Sequence, residues 1–557
     1  MRKIYIILFL FLPLTMISQK VKFSQKGGFY ENSFSLELSC PDGYQIRYTT
    51  DGNDPTAQSA LYKSPLWLDE RLYSKADIYK IQISPDSLMY IPDSIKHAIV
   101  IRAALFDDED SCVSPTFTNT YLIRSLGIEN HGMAAVSLCV NYDDLFDYNT
   151  GIFVRGANWD PKKPDHTGNY YQHGKGWERQ ANVEFYEPDD NSGINQTCGV
   201  RTHGNRVRRQ PAKGMKIYAR NEYSKKRFNH PFFGEDYIDS FKHLILKPFA
   251  SFSPYSGVQD YVSQKLALQV GITSSECRPV MMFLNGEYWG IYFIQEKPDE
   301  RFLEDHFGIS PDNCNIIGDW RGSVDHGSDT SFKDMMKWFA DADLTKRRQY
   351  KQACKLIDTN SFIDYYVFQT FVANFDWPGN NMRCWQAGDG KWQWIFFDGD
   401  ATIIAGQHDV FNKAAVYEEP KTWLNYPEAK LVFGKMLENR EFKKAFKARA
   451  VEWCNGPFRY ENTYPIYSEI LEALRPHIED QSHRFGYPRS YKKWEDGNKT
   501  INQFLSNRAE NYIKLIDESP LFYCPSRTLL WMTVGFGSAL VVALIVIFIR
   551  KSKNKHK

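Results

Sequence analysis

The chain changes its hydrophobic rhythm twice. Between Val21 and Ile123, runs such as SFSLELSC, YQIRYTT and AIVIRAALF are rich in β-branched and apolar residues, and turn chemistry at TTDGNDPT separates them. That pattern predicts a small β-sandwich over residues 21–123. After Arg124 the segments VSLCVNYDDLF, IFVRG, NVEFYE, MKIYA, HLILKPF and VMMFLNGEYWGIYFIQE read as strands between turns. Beyond Asp299 the spacing lengthens to three and four. SFKDMMKWFADADL, RQYKQACKLI, SFIDYYVFQTFVANF, EFKKAFKARAVEWC and IYSEILEALRPHIE predict helices. A β-rich half therefore precedes a helix-rich half, and the fold class is α+β.

The two ends carry longer apolar runs. MRKIYIILFLFLPLTMISQK has a basic start, an apolar stretch and then small polar residues, the layout of a secretory signal over residues 1–19. From Leu529 to Ile549 the chain is apolar for long enough to cross a ~30 Å hydrocarbon core as a single C-terminal transmembrane helix. Arg550, Lys551, Lys553, Lys555 and Lys557 follow it, so residues 550–557 are expected on the cytoplasmic side. The sequence thus predicts a single-pass membrane protein whose folded body is extracytoplasmic, periplasmic or at the cell surface.

Composition adds three limits. A chain of 557 residues exceeds the size of one hydrophobic core, so more than one domain is expected. Lys plus Arg (68) balances Asp plus Glu (67), which leaves no overall field to recruit nucleic acid. The ten cysteines include no CxxC pair, which excludes a zinc ribbon or a thioredoxin-like site.

The candidate chemistry lies in NFDWPGNNMRCWQAGDGKWQWIFFDGD, Asn374 to Asp400. Phosphoryl-transfer enzymes use an Asp to orient the accepting hydroxyl, an Asn five residues later to hold metal, and a second metal-holding Asp after a short strand. Asp376, Asn381 and Asp398 reproduce that order and spacing, with Asp400 beside the last. Carboxylate and carboxamide oxygens suit a hard cation, Mg²⁺ with Ca²⁺ as the rival. Upstream, GVRTHGNRVRRQPAKGMKIYAR supplies a Gly204-Asn205 turn, Arg206, and a strand carrying Lys213 and Lys216. LNGEYWGIYFIQE leads to Glu296, an acidic residue able to fix a lysine.

These blocks together resemble the spore coat protein H (CotH) kinase family over about Gly132 to Asp517, domain 132–517. The string YTTDGNDPT with IVIRAALFDDEDSCVSPTFTNTYLI resembles the chitobiase/β-hexosaminidase C-terminal type of module. The first resemblance implies an atypical protein-kinase-like domain, ATP with Mg²⁺ or Mn²⁺, and a protein hydroxyl as acceptor. It implies Asp376 as the catalytic aspartate, Asn381, Asp398 and Asp400 at the metal, and Lys213, Glu296, Gly204, Asn205 and Arg206 at the nucleotide. The second implies a possible glycan partner. Family members show RGNS and two lysines after a proline. Here the string is HGNRVRRQPAKG, with Ala212 in the first lysine position and Arg206, Arg208 and Arg209 as compensating charge. Two readings follow: a membrane-tethered extracytoplasmic Ser/Thr kinase, or a catalytically inactive kinase-like envelope protein that binds glycan or protein.

Overall fold

The structure is a computed structural model that describes residues 20–249, 256–404 and 410–523. The chain divides into two compact units. The first comprises Met1–Gly257, Glu276–Lys297 and Leu471–Asp496, and the second Val258–Ser275, Pro298–Ile470 and Gly497–Lys557.

The first unit is built on a closed seven-stranded barrel. Its strands run Ala134–Val140, Arg179–Tyr186, Gly193–Thr202, Met215–Tyr218, His243–Pro248, Glu287–Gln295 and Cys277–Leu284 around the barrel. Every neighbouring pair is antiparallel except the closing one, where Ala134–Val140 runs parallel to Cys277–Leu284. The period of two sorts the side chains. Val136, Leu138, Val183, Ile217, Leu246 and Met282 fill the interior, and the residues between them face out.

The predicted N-terminal sandwich forms a five-stranded sheet in the order Gly28–Tyr30, Phe117–Ile123, Ile99–Phe106, Gln45–Thr49, Ala60–Leu61. Two short pairs, Lys22–Phe23 with Leu38–Ser39 and Ser35–Leu36 with Leu66–Trp67, complete it. All eight residues of Ile99–Phe106 are buried, so this strand reads as a continuous apolar run. Two buried glutamates tie the module to the barrel. Glu184 accepts from Thr120 N (3.2 Å), Thr120 Oγ1 (2.5 Å), Tyr186 Oη (2.5 Å) and Asn195 Nδ2 (3.0 Å). Glu287 accepts from the backbone N–H groups of Ile78 (2.7 Å) and Tyr79 (2.9 Å).

The second unit is mostly helical around a four-stranded sheet, Val324–His326, Cys314–Ile317, Arg383–Ala387 and Gln393–Ile395. Thr330–Asp341, Arg347–Leu356, Thr359–Phe371 and Arg440–Cys454 fall where the spacing predicts helices. Thr359–Phe371 is buried along nearly its whole length. Its aromatic side chains stack on neighbours: Tyr366 on Phe433 at 4.2 Å and Phe371 on Phe458 at 4.1 Å.

Two expectations are corrected. IFVRG forms no strand; Ile152 and Phe153 are buried, but their N–H groups bond to Asp144 O (3.0 Å) and Leu145 O (2.9 Å) as a packed loop. Among the described residues, no helix is long and apolar enough to cross a membrane. Tyr491–Glu518, the longest, has the length but carries Lys492, Lys493, Glu495, Asp496, Lys499 and Arg508, which a hydrocarbon core would reject. The expected span at 529–549, the leader at 1–19 and the tail at 550–557 lie outside the described residues. The fold class is therefore corrected to a mixed α/β chain with a closed β-barrel, and the single-pass localisation is not supported.

Burial pushes the Glu287 carboxyl from its ordinary 4.5 up to about 7. Its protonated form is favoured in the folded state, so this contribution is fully present below pH 4.5 and is lost as pH rises through 7. The loss amounts to roughly 3 kcal/mol. Urea midpoints measured from pH 4.5 to 8 should fall less steeply in Glu287→Gln than in the unsubstituted protein; parallel profiles would refute the assignment.

Candidate functional site

The helix Thr359–Phe371 delivers the chain to the Asp376 loop. Its start is capped by Asp358, which accepts from Asn360 N and Ser361 N. At its other end Arg508 donates through Nε to Phe371 O and through Nη2 to Thr370 O, both at 2.6 Å. Those carbonyls are acceptors that an ending helix leaves open. Arg508 is buried, and burial lowers its pKa to about 10. The rings of Phe504 and Tyr512 lie 5.1 and 5.3 Å from its guanidinium carbon.

Past the helix, Ala373 takes a left-handed backbone at φ 51°. Asn374 then acts as a bracket. Its Nδ2 donates to Gln369 Oε1 (3.0 Å), and its Oδ1 accepts from Asp376 N (3.0 Å). The backbone of this loop is stitched to the DGD turn by Phe375 N to Ala401 O (2.9 Å) and Ile403 N to Val372 O (2.7 Å). Lys413 adds a clamp, donating to Phe375 O at 2.5 Å. Burial lowers its pKa to about 8, and the nearby Asp376 charge opposes that shift.

The DGD turn is held as firmly. Asp398 is left-handed (φ 57°), and Gly399 N donates to Asp260 Oδ1 at 2.7 Å. A Cβ on Gly399 would sit 2.9 Å from both Phe396 Cζ and Ser263 Cβ, so only glycine fits between the strand and the helix Gln259–Gln269. Thr402 Oγ1 donates to Gly399 O (2.5 Å) and shares a hydrogen bond with Ser263 Oγ (2.6 Å). Asn381, also left-handed at φ 51°, turns its Nδ2 to Asp398 O at 3.4 Å. The fold thus brings Asp376, Asn381, Asp398 and Asp400 from two stretches of chain onto one stitched pair of loops.

Among the described residues, no group of three or more His, Cys, Asp and Glu side chains is gathered tightly enough to hold a metal by itself. Asn381, Asp398 and Asp400 would offer one carboxamide and two carboxylates, an all-oxygen, incomplete donor set. That composition fits a hard divalent cation that takes its remaining ligands from water or phosphate. Sequence reasoning missed Asp260, Lys413 and Arg508. They lie far along the chain from the loops they hold, and no local spacing marks them.

In the first unit the predicted lysine has another job. Lys213 precedes the strand Met215–Tyr218 and is fully buried. Its Nζ donates to Ile83 O (2.8 Å), Arg208 O (2.8 Å) and Gln210 O (3.1 Å). An ammonium has three donors, and all are used. Among the described residues the hydrogen-bond partners of Lys213 are these carbonyls and not the Glu296 carboxylate. Burial also drives its pKa well below the usual lysine range. Lys216 lies within the strand, on the outward face opposite the core residues Met215 and Ile217, with its Nζ 4.9 Å from the Tyr218 ring. Glu296 is buried and accepts from Tyr237 Oη (2.5 Å) and Glu276 N (3.2 Å). Gly204 is left-handed (φ 94°), Asn205 and Arg206 are exposed, and Arg206–Arg209 form a short 3₁₀ turn.

Residues 200–512, more than half of the chain, match the family described as CotH kinase protein. The chain belongs to the CotH kinase family. Residues 25–78 of this family member match the chitobiase/beta-hexosaminidase C-terminal domain. No curated protein matches the chain. Among solved structures, the HipA–HipB toxin–antitoxin complex with operator DNA from Shewanella oneidensis MR-1 is 12% identical, with a TM-score of 0.24 over 53% of this chain and 66% of that one. The proinflammatory kinase CtkA of Helicobacter pylori is 13% identical, with a TM-score of 0.21 over 58% of this chain and 93% of that one. At those scores the CotH assignment rests on the family match.

Lys213→Met should lower stability by about 3 kcal/mol, because it strands carbonyls that have no other donor among the described residues. Urea unfolding of the purified CotH protein measures this. An unchanged midpoint would show that the Lys213 ammonium is not holding the loop.

Proposed function

We propose that this CotH kinase family protein is an atypical protein kinase that transfers the γ-phosphoryl group of ATP to a Ser or Thr hydroxyl of a protein. The observation that carries this reading is the single assembly made by Asp376, Asn381 and Asp398, in kinase order, on loops anchored to each other by backbone hydrogen bonds. Asp376 accepts the proton of the attacking hydroxyl as the new P–O bond forms and the β–γ bridging oxygen leaves with ADP. Asn381 and Asp398, with Asp400 adjacent, would hold Mg²⁺ or Mn²⁺. That cation supplies charge neutralisation at the phosphates. Gly204, Asn205 and Arg206 face the nucleotide in this reading. Lys216 replaces Lys213 as the phosphate lysine, because the Lys213 ammonium is consumed by carbonyls. Glu296 serves as an acidic element on the same barrel.

The N-terminal module is read as a carbohydrate-binding or positioning element. Its match to the chitobiase-type domain supports that role, as does Trp67, whose ring is half exposed at the module surface.

Calorimetry with ATP and Mg²⁺ tests the reading. Asp398→Asn and Lys216→Met should each weaken nucleotide binding at least tenfold, or ~1.4 kcal/mol. Asp376→Asn should leave binding within about threefold yet abolish phosphoryl transfer to protein. A folded protein that binds no nucleotide with either metal would instead make the CotH domain a binding module.

A further inference from the structure

A second chemistry lies in the first unit, between the segment Gly151–Trp177 and the loop His203–Lys213. Among the described residues, five buried donor atoms there have no hydrogen-bond acceptor, Arg155 Nε, Trp159 Nε1, Tyr170 Oη, Arg208 Nε and Arg209 Nε, although the Tyr170 oxygen faces the Arg155 guanidinium. They belong to one neighbourhood. The Arg155 guanidinium lies 5.1 Å over the Trp159 ring, the Tyr170 and Tyr171 rings are 5.2 Å apart, and the two tyrosines lie within electrostatic reach of Arg155, Arg208 and Arg209. The Lys213 ammonium is 4.4 Å over the Tyr170 ring.

Charge there is not balanced. Arg208 is 7% exposed, and its Nη1 contacts only Tyr171 O (3.2 Å), Gln172 O (3.4 Å) and His173 Nδ1 (3.2 Å). Among the described residues, Lys213 donates hydrogen bonds to carbonyls and pairs with no carboxylate. Asp165, paired with Arg209, is the one carboxylate bonded to these three arginines among the described residues. Leaving a buried donor unpaired costs about 1–3 kcal/mol, and buried cations ordinarily carry a counter-charge. Water could accept some of these hydrogen bonds but would leave the Arg155 and Arg208 charges uncompensated. Planar guanidinium donors match a tetrahedral oxyanion better.

We propose that Arg155, Arg208 and Arg209, with the Trp159 indole and the Tyr170 hydroxyl, form a binding site for an oxyanion of the phosphate class. The site deepens the phosphoryl-transfer reading, on which its nucleotide source rests because Arg208 and Arg209 share a turn with Arg206, but it does not depend on Asp376, Asn381 or Asp398. Its ligand is either a phosphate group of a nucleotide or a phosphorylated side chain; the recognising chemistry is the same.

Calorimetry of the full chain with inorganic phosphate, against sodium chloride at equal ionic strength, tests the site. Phosphate should bind the unsubstituted protein, and Arg155→Gln and Arg209→Gln should each weaken it at least tenfold. Lys162→Gln, an exposed cation on the same segment, should change it less than twofold. If an arginine variant does not fold, Trp159→Phe removes a single N–H donor and should weaken binding severalfold. No phosphate binding beyond the chloride control, Arg155→Gln binding like the unsubstituted protein, or an equal loss in Lys162→Gln would overturn the proposal. Where phosphate binds as expected, displacement by ATP or by a phosphoserine peptide identifies the source. Asp398→Asn should leave phosphate affinity unchanged, which separates this site from the proposed metal centre.

Discussion

The left-handed backbone at Ala373, Asn381, Asp398 and Ile403 is the constraint on which the candidate active site depends. Each such non-glycine residue costs on the order of 1–3 kcal/mol, and the β-branched Ile403 is the least tolerant of the four. The cost is offset by the surroundings. Arg508 closes the helix before the loop, Asp260 holds the turn after it, and the aromatic packing around Thr359–Phe371 leaves the backbone no other path. Strain held this way fixes the backbone that carries Asp376, Asn381 and Asp398.

Buried charge is handled in two ways in this chain. Glu184 and Glu287 are acids that accept hydrogen bonds from the N-terminal module, and each fastens that module to the barrel where an apolar contact would have held it less specifically. Lys213, Lys413 and Arg508 are cations that donate to backbone carbonyls at loop or helix ends. In both cases the ionisable group satisfies backbone groups that irregular structure leaves open. Lys213, singled out in the sequence as a nucleotide lysine, is in the fold a donor to three backbone carbonyls.

The arginine cluster beside Lys213 differs from these because, among the described residues, the Nε donors of Arg155, Arg208 and Arg209 have no acceptor. The string HGNRVRRQPAKG departs from the family's pattern by gaining arginines and losing a lysine. In the folded chain Arg208 and Arg209 lie beside Tyr170 and Tyr171, and Tyr170 is also within electrostatic reach of Arg155 from a separate segment.

Hydrophobic period and turn chemistry were enough to read the β-rich first half, most of the helices of the second, and the Asp376, Asn381 and Asp398 order, because each is written within a few residues of chain. IFVRG misled because an apolar run reports burial, and burial in a loop or in a strand looks the same along the sequence. The closure of the barrel by a parallel pair, the enclosure of the Lys213 ammonium by backbone carbonyls, and the bracing by Asp260 and Arg508 were decided only by tertiary structure. A lysine's role depends on whether carbonyls or a ligand meet its three donors. Those partners, Ile83 for Lys213 and Phe371 for Arg508, come from chain more than a hundred residues away, where no local pattern reaches.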